Sequence, residues 1–232
     1  MQFPQQLVQA RLIKRYKRFL ADVELPDGSV VVAHCANSGS MLGCKEPGSL
    51  VYLSPNTNPK AKLDWRWEML EVDGALVGIN TSHPNRLVEA AIQDGTIREL
   101  QNYAEMKREV KYGVNSRIDI LLYDPGLCYV EVKNVTLKVG FEARFPDAVT
   151  ARGTKHLTEL IRMVEEGHRA VMLYLVQRSD CSLFRPQYDI DPTYAAGLEA
   201  AHMAGVEVLC YHCNLTPEKI EVAGPMAFEL CR

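Results

Sequence analysis

The stretch SRIDILLYDPGLCYVEVKNV, residues 116–135, decides the fold of the chain. Ile118, Ile120 and Leu122 alternate with Asp119, Leu121 and Tyr123, and Val130 and Val132 alternate with Tyr129, Glu131 and Lys133. A period of two marks strands, and Asp124-Pro125-Gly126 between them carries turn chemistry. Pairing Tyr123 with Leu127 across that turn sets Asp119 directly opposite Glu131, with Cβ atoms about 4.5–5.5 Å apart. Facing carboxylates repel and destabilise a sheet unless a positive charge sits between or beside them. A divalent metal ion supplies that charge, and Lys133, two residues after Glu131, projects from the same face. Oxygen ligands for Mg²⁺ or Mn²⁺, with a lysine to orient a water, form the layout of a phosphodiester-hydrolysing site. The alternative is a half-buried hairpin whose Glu131-Val132-Lys133 is a solvated strand face.

Asp119, eleven intervening residues and then Glu131-Val132-Lys133 resemble the PD-(D/E)xK nuclease signature. Ile118 stands where the signature's name puts proline. Taken in order with His34-Cys35-Ala36-Asn37-Ser38-Gly39-Ser40-Met41, Ser116-Arg117-Ile118-Asp119 and Glu131-Val132-Lys133-Asn134-Val135, nearly the full length resembles the sugar fermentation stimulation protein A family. The resemblance implies an N-terminal OB-type small β-barrel followed by a mixed-sheet, restriction-endonuclease-like domain. It also implies largely sequence-non-specific DNA binding and a link to the regulation of maltose metabolism. Asp119, Glu131 and Lys133 are then the catalytic set, with Asp119, Glu131 and the Val132 carbonyl as metal ligands. In the nuclease superfamily a glutamate on the first helix often adds a ligand, which makes Glu89 a candidate; an ordinary surface glutamate is the alternative.

The chain has 232 residues, enough for one large or two small domains. It lacks a long uncharged apolar run and an n-region followed by an h-region, so neither a membrane span nor a signal peptide is expected, and the cytoplasm is the expected location. Seven scattered cysteines suit reduced thiols better than a disulfide framework. Cys210-Tyr211-His212-Cys213 could offer zinc ligands, but no second CxxC stands at a finger spacing, and a buried strand end accounts for it.

The net charge of −3 does not advertise nucleic-acid binding; its distribution does. Arg11, Lys14, Arg15, Lys17 and Arg18 interleave with Tyr16 and Phe19, with no acid in the first twenty residues, a composition that suits backbone tracking and base stacking. A solvated amphipathic edge is the alternative.

From 7 to 82 the pattern is short strands and turns: 7–16, 19–25, 30–34, 49–53, 64–72 and 75–80. That is the grain of a small Greek-key barrel, expected over 1–82. Lys60, Lys62 and Arg66 surround Trp65 and Trp67, two rings on one strand face that suit a barrel core. The second domain is expected over 83–232. Asn85 is placed to cap a helix over 86–95, and 107–114 reads as a strand bringing Lys107, Arg108 and Lys111 near the site. Residues 134–152 read as a long basic loop with Lys138 and Arg144, suited to gripping phosphates. Thr154 caps a helix to 167 with Lys155 and His156 in its first turn, 169–177 is a strand buried on both faces, Asp191-Pro192 starts a helix to 205, and 206–211 is a final strand.

Two functions follow: a Mg²⁺-dependent nuclease acting on single- or double-stranded DNA, and a non-catalytic DNA-binding regulatory factor linked to sugar metabolism. The complete Asp, Glu and Lys set discriminates between them, because a pure binder has no need of carboxylates that repel phosphates.

Overall fold

The computed structural model describes residues 1–58, 60–114 and 116–230. The first six strands are β1 (Val8–Tyr16), β2 (Leu20–Glu24), β3 (Val30–Cys35), β4 (Leu50–Pro55), β5 (Trp65–Val72) and β6 (Ala75–Gly78). They lie in the order β3-β2-β1-β4-β5-β6, and parallel pairing of β3 with β5 closes the first five into a barrel. Closure leaves those strands no free edge. Alternation fills the interior: Ala10 and Leu12 point inward from β1 while Arg11 stays exposed, and Val23, Ala33, Leu53 and Trp67 complete the core. Trp67 is fully buried and donates its Nε1–H to the Met69 carbonyl at 2.9 Å. Trp65 packs partly buried against the same cluster, so both rings serve the core.

The second body comprises α1 (Pro84–Gln93), a short 3₁₀ turn, β7 (Glu105–Tyr112), β8 (Ser116–Tyr123), β9 (Leu127–Val135), β10 (Leu137–Val139), β11 (Glu142–Phe145), α2 (Ala151–Glu165), β12 (Arg169–Val176), β13 (Leu183–Pro186), α3 (Pro192–Met203), β14 (Glu207–Leu215), β15 (Ile220–Pro225) and β16 (Ala227–Phe228). Its main sheet runs β15-β14-β12-β9-β8-β7, with β12 parallel to both β9 and β14 and the flanking strands antiparallel. α1 covers one face through Leu87, Val88 and Ala91 against Val130, Val132 and Leu173. α2 and α3 cover the other through Leu157, Leu160 and Leu198 against Met172, Tyr174 and Val176. Helices on both faces explain why β12 reads as an unbroken apolar run.

Several boundaries differ from the sequence expectation. α1 begins at Pro84, so Asn85 lies in the first turn and caps nothing; its amide is used elsewhere. α2 begins about a turn before Thr154, because Thr150 is the cap and its side chain accepts the Gly153 N–H at 3.1 Å. Residues 134–152 are not one loop: β10 and β11 pair there and join a small sheet in the order β10-β11-β13-β16. β14 continues to Leu215, and β15 and β16 follow it. Asp191 does cap α3, accepting the Tyr194 N–H at 2.9 Å.

Two seams join the bodies. Residues at the start of the chain pair with the segment before β15, Phe3 N donating to Glu218 O and Ile220 N to Met1 O, both at 2.9 Å. At the far side of the barrel Gly78 N donates to Gln177 O, and Leu7, Tyr52 and Met69 enter the same apolar cluster as α1.

Candidate metal centre and cationic cleft

The β8–β9 ladder runs from Tyr123↔Leu127 to Ile120↔Val130, in the register the turn dictates. It stops one pair short of Asp119 and Glu131. There the Val132 N–H donates to Asp119 Oδ2 at 2.8 Å, a side chain taking the place of a ladder carbonyl, and the strands part around a notch. Asp119 Oδ1 accepts the Asn85 Nδ2–H at 2.8 Å. Lys133 Nζ donates to Glu131 Oε1 at 2.7 Å, and His156 Nδ1 contacts the same oxygen. The Arg152 Nε–H donates to His156 Nε2 at 3.3 Å, which leaves the ring proton on Nδ1, facing Glu131.

The two carboxylates respond oppositely. Burial first, then the charge of Glu131, pushes the Asp119 carboxyl from 3.8 up to about 6, against the hydrogen bonds from Val132 and Asn85. Burial also opposes ionisation of Glu131, but hydrogen bonding from His156 and the charge of Lys133 outweigh it and hold this group below its usual range. Glu131 is 2% exposed, and its Oε2 is buried without a hydrogen-bond partner. An unsatisfied buried oxygen on a carboxylate and a neighbouring carboxylate short of positive charge are together what a divalent cation would relieve. Among the described residues no group of three or more His, Cys, Asp or Glu gathers for a metal. A cation here would rest on two carboxylates, with backbone carbonyl and water completing its shell, which suits Mg²⁺ or Mn²⁺. Val132 lines the same cleft.

The notch opens into a cleft of about 700 Å³ between the two bodies. Six cations line it, Arg15, Arg18, Lys45, Lys133, Arg144 and Arg152, against the carboxylates Asp119, Glu131 and Asp147. Arg15 donates to the carbonyls of Asn37 and Gly39 at 2.8 and 3.0 Å, and Lys45 to that of Ser40 at 2.9 Å. Carbonyl partners orient these charges without neutralising them. The β1–β2 turn that carries Arg18 places both Lys17 and Arg18 at positive φ, 48° and 63°. That region favours Asn and Gly over long side chains.

Of the basic residues singled out in the sequence, Arg15, Arg18 and Arg144 reach the cleft. Arg11 donates to the Gly48 carbonyl, Lys14 pairs with Asp22 and Lys138 with Asp180, all away from it, and Lys17 and Lys60 are exposed outside it. Lys62 and Arg66 line a separate groove on the barrel. Glu89 is not at the site: it pairs with Arg108 at 3.1 Å, and α1 presents Asn85 to Asp119 instead, one helical turn earlier. Lys107 sits over the Tyr123 ring, and none of Lys107, Arg108 and Lys111 lines the cleft. Lys155 donates to the Val114 carbonyl, whereas His156 is buried at the centre. Cys210 and Cys213 belong to the clusters on opposite faces of the sheet and cannot share a metal.

Fold and site together define a nuclease-like protein in which an OB barrel is joined to a mixed-sheet, endonuclease-like domain. The chain belongs to the sugar fermentation stimulation protein family. Residues 13–79 match the family model described as the SfsA N-terminal OB domain, and residues 82–219 match the sugar fermentation stimulation protein RE domain. The sugar fermentation stimulation protein homolog of Paramagnetospirillum magneticum is 58% identical over 99% of this chain and 98% of its own. That of Rhodospirillum centenum is 59% identical over 96% and 97%. Among solved structures, Pyrococcus furiosus SfsA in complex with Ca²⁺ superposes with a TM-score of 0.90 at 28% identity, covering 99% of this chain and 98% of that one. No helix among the described residues is long and apolar enough to cross a membrane.

Proposed function

We propose that the protein is a DNA-binding nuclease that hydrolyses phosphodiesters with Mg²⁺ or Mn²⁺ held by Asp119 and Glu131. The observation that carries this is the unsatisfied Glu131 Oε2 beside Asp119 on the floor of a cleft lined by six cations, of which Lys133 is paired with Glu131 and Arg144 with Glu142. When bound, the metal would lower the pKa of a water and offset negative charge developing on the phosphoryl oxygens. The chain's own groups do the rest. Asn85 and the Val132 N–H fix the Asp119 carboxylate. His156 pins Glu131 Oε1 and leaves Oε2 free to bind. Lys133 Nζ, tethered by the same oxygen, is positioned to hold a water by hydrogen bonding and to place positive charge beside the developing phosphoryl oxygens. Arg15, Arg18, Lys45, Arg144 and Arg152 hold the flanking phosphates without reading bases, consistent with sequence-neutral, salt-sensitive binding. The presence of Ca²⁺ in the Pyrococcus furiosus relative supports a divalent site in the family.

The test is cleavage of labelled DNA by the purified protein with Mg²⁺ or Mn²⁺, alongside Glu131→Ala and Lys133→Ala. Cleavage that both variants lose while still binding DNA supports the nuclease. Salt-sensitive binding shared by parent and variants, without cleavage by the parent, leaves the non-catalytic DNA-binding regulatory factor.

A further inference from the structure

We propose that the DNA enters as a single strand, its phosphates crossing the cleft floor and its bases lying along the groove on the barrel. The cleft half of this rests on the nuclease reading above; the barrel half rests on its own observations.

The cleft is bridged in a way that narrows the approach to its floor. Its two lips, one from the barrel and one from the segment before α2, are tied together. Ser40 Oγ donates to the Asp147 carbonyl at 2.7 Å, and the Met41 N–H donates to Asp147 Oδ2 at 2.8 Å. They approach so closely at Gly39 that a Cβ there would meet Asn37 Oδ1 and Asp147 Oδ2 at 3.0 Å each. The cleft volume of about 700 Å³ falls within the span of small-ligand sites, about 300–1,000 Å³, and accommodates a dinucleotide-sized piece of backbone. Glu131, at 2% exposed, lines it.

The barrel groove supplies what an unpaired base needs. It measures about 670 Å³ and is lined by Leu20, Ala36, Ala61 and Leu63, with Lys62 and Arg66 beside them. An apolar floor edged by cations suits stacked bases with their phosphates alongside, and a duplex, whose base faces are hidden, cannot use it. Phe19, 45% exposed, stacks on His34 of this groove with ring centroids 6.4 Å apart and an interplanar angle of 22°.

Cleft and groove are adjacent, with a ridge between them. Arg18, Asn37 and Thr81 line the first, and Leu20, Ala36 and Asn80 line the second, near neighbours on the same three chain segments. The ridge between them is the point where Thr81 donates both its N–H and its Oγ–H to the Ala36 carbonyl, at 2.9 and 2.7 Å. A strand leaving the cleft over this ridge arrives in the groove.

Fluorescence anisotropy with Ca²⁺ in place of Mg²⁺, using a labelled oligothymidylate and a blunt hairpin duplex, tests the proposal without turnover. The expected result is single-strand affinity at least about 10-fold above duplex affinity, and a loss of about 10-fold in the Lys62→Glu, Leu63→Ser double variant, the size of one stacked base. The exposed Lys62→Glu alone should lose a smaller part of that affinity, which guards against misfolding of the double variant. Equal affinity for the duplex, or variants that bind the single strand like the parent, overturns the proposal. Hydrolysis of bis(p-nitrophenyl) phosphate by the parent with Mn²⁺ separates the two readings. If that hydrolysis occurs while duplex is bound as well as single strand, the nuclease stands and strand selection falls. If it is absent while the single-strand preference and the Lys62 effect hold, strand selection stands and catalysis falls.

Discussion

Glu68 and Glu131 are two buried glutamates on strands, each touching a histidine on or beside a helix, and they do opposite things. Glu68, 3% exposed on β5, accepts Ser54 Oγ–H at 2.6 Å on one oxygen and Asn80 Nδ2–H and His83 Nε2 at 2.7 Å each on the other. Glu131, 2% exposed on β9, crowds Lys133 and His156 onto one oxygen and leaves the other bare. In both cases burial works against the charge, and hydrogen bonds with a histidine bring the carboxyl below its usual range. The difference is where unsatisfied valence remains. A carboxylate whose oxygens are all used is a clasp, here fastening the barrel to the first turn of α1; one with an oxygen to spare is a place for a ligand.

The sharpest way to break this comparison is exchange at the two glutamates. Glu131→Gln should lower cleavage by about 10³-fold or more, equivalent to about 4 kcal/mol of barrel-independent transition-state stabilisation, with little change in melting temperature. Glu68→Ala should do the reverse. It strands His83 and Asn80 in a buried seam and should cost about 3–5 kcal/mol in urea unfolding, while the metal-dependent chemical step survives in the folded fraction. A Glu68→Ala protein of parental stability would mean that the clasp holds nothing.

Next in size is the response of stability to metal and pH. Asp119, raised to about 6, favours the fold when protonated: its contribution is full below 3.8 and is lost as pH rises through about 6. Glu131, lowered, contributes above its ordinary 4.5 and loses that contribution as pH falls through its folded value. Metal requires both to be ionised. Saturating Mn²⁺ at about 100 times its Kd should therefore stabilise the protein by about 2.7 kcal/mol at neutral pH and by much less at pH ~5, read as thermal shifts. An equal shift at both pH values would place the cation elsewhere.

The smallest effect belongs to Asn85→Ala. It removes one donor to Asp119, worth about 0.5–1.5 kcal/mol, and should weaken metal affinity about 2- to 10-fold while moving the pH midpoint of metal binding upward. Calorimetric titration at two pH values checks both.

The central hairpin was legible because a short turn fixes register, and register fixes which residues oppose each other. The barrel was legible from alternation and turn chemistry. What the sequence concealed was the angle between elements. Asn85 and Glu89 share a helix face, and only the tilt of α1 over the sheet decides that Asn85 meets Asp119. The basic cluster around the first strand looked uniform, but the register shift between Leu12 and Lys14 separates Arg15 from Arg11 and Lys14, and of the two basic turn residues only Arg18 lines the cleft. Lys45 and Arg152 were missed because each stands outside the basic clusters of the sequence, and only the fold brings them to one cleft. His156 did leave a signal. Phased from Thr150, it falls on the buried stripe with Leu157, Leu160 and Met163, where a polar ring demands a partner.

The seams between the bodies set how the molecule comes apart. Each half has a core of its own, but Leu7, Tyr52 and Met69 of the first share a third cluster with Val130 and Leu173 of the second, so parting the halves bares apolar surface on both. Heating should give a single calorimetric transition whose van't Hoff and calorimetric enthalpies agree. Severing the chain near the linker should yield sticky fragments that regain solubility only when mixed, so the halves fold as one unit.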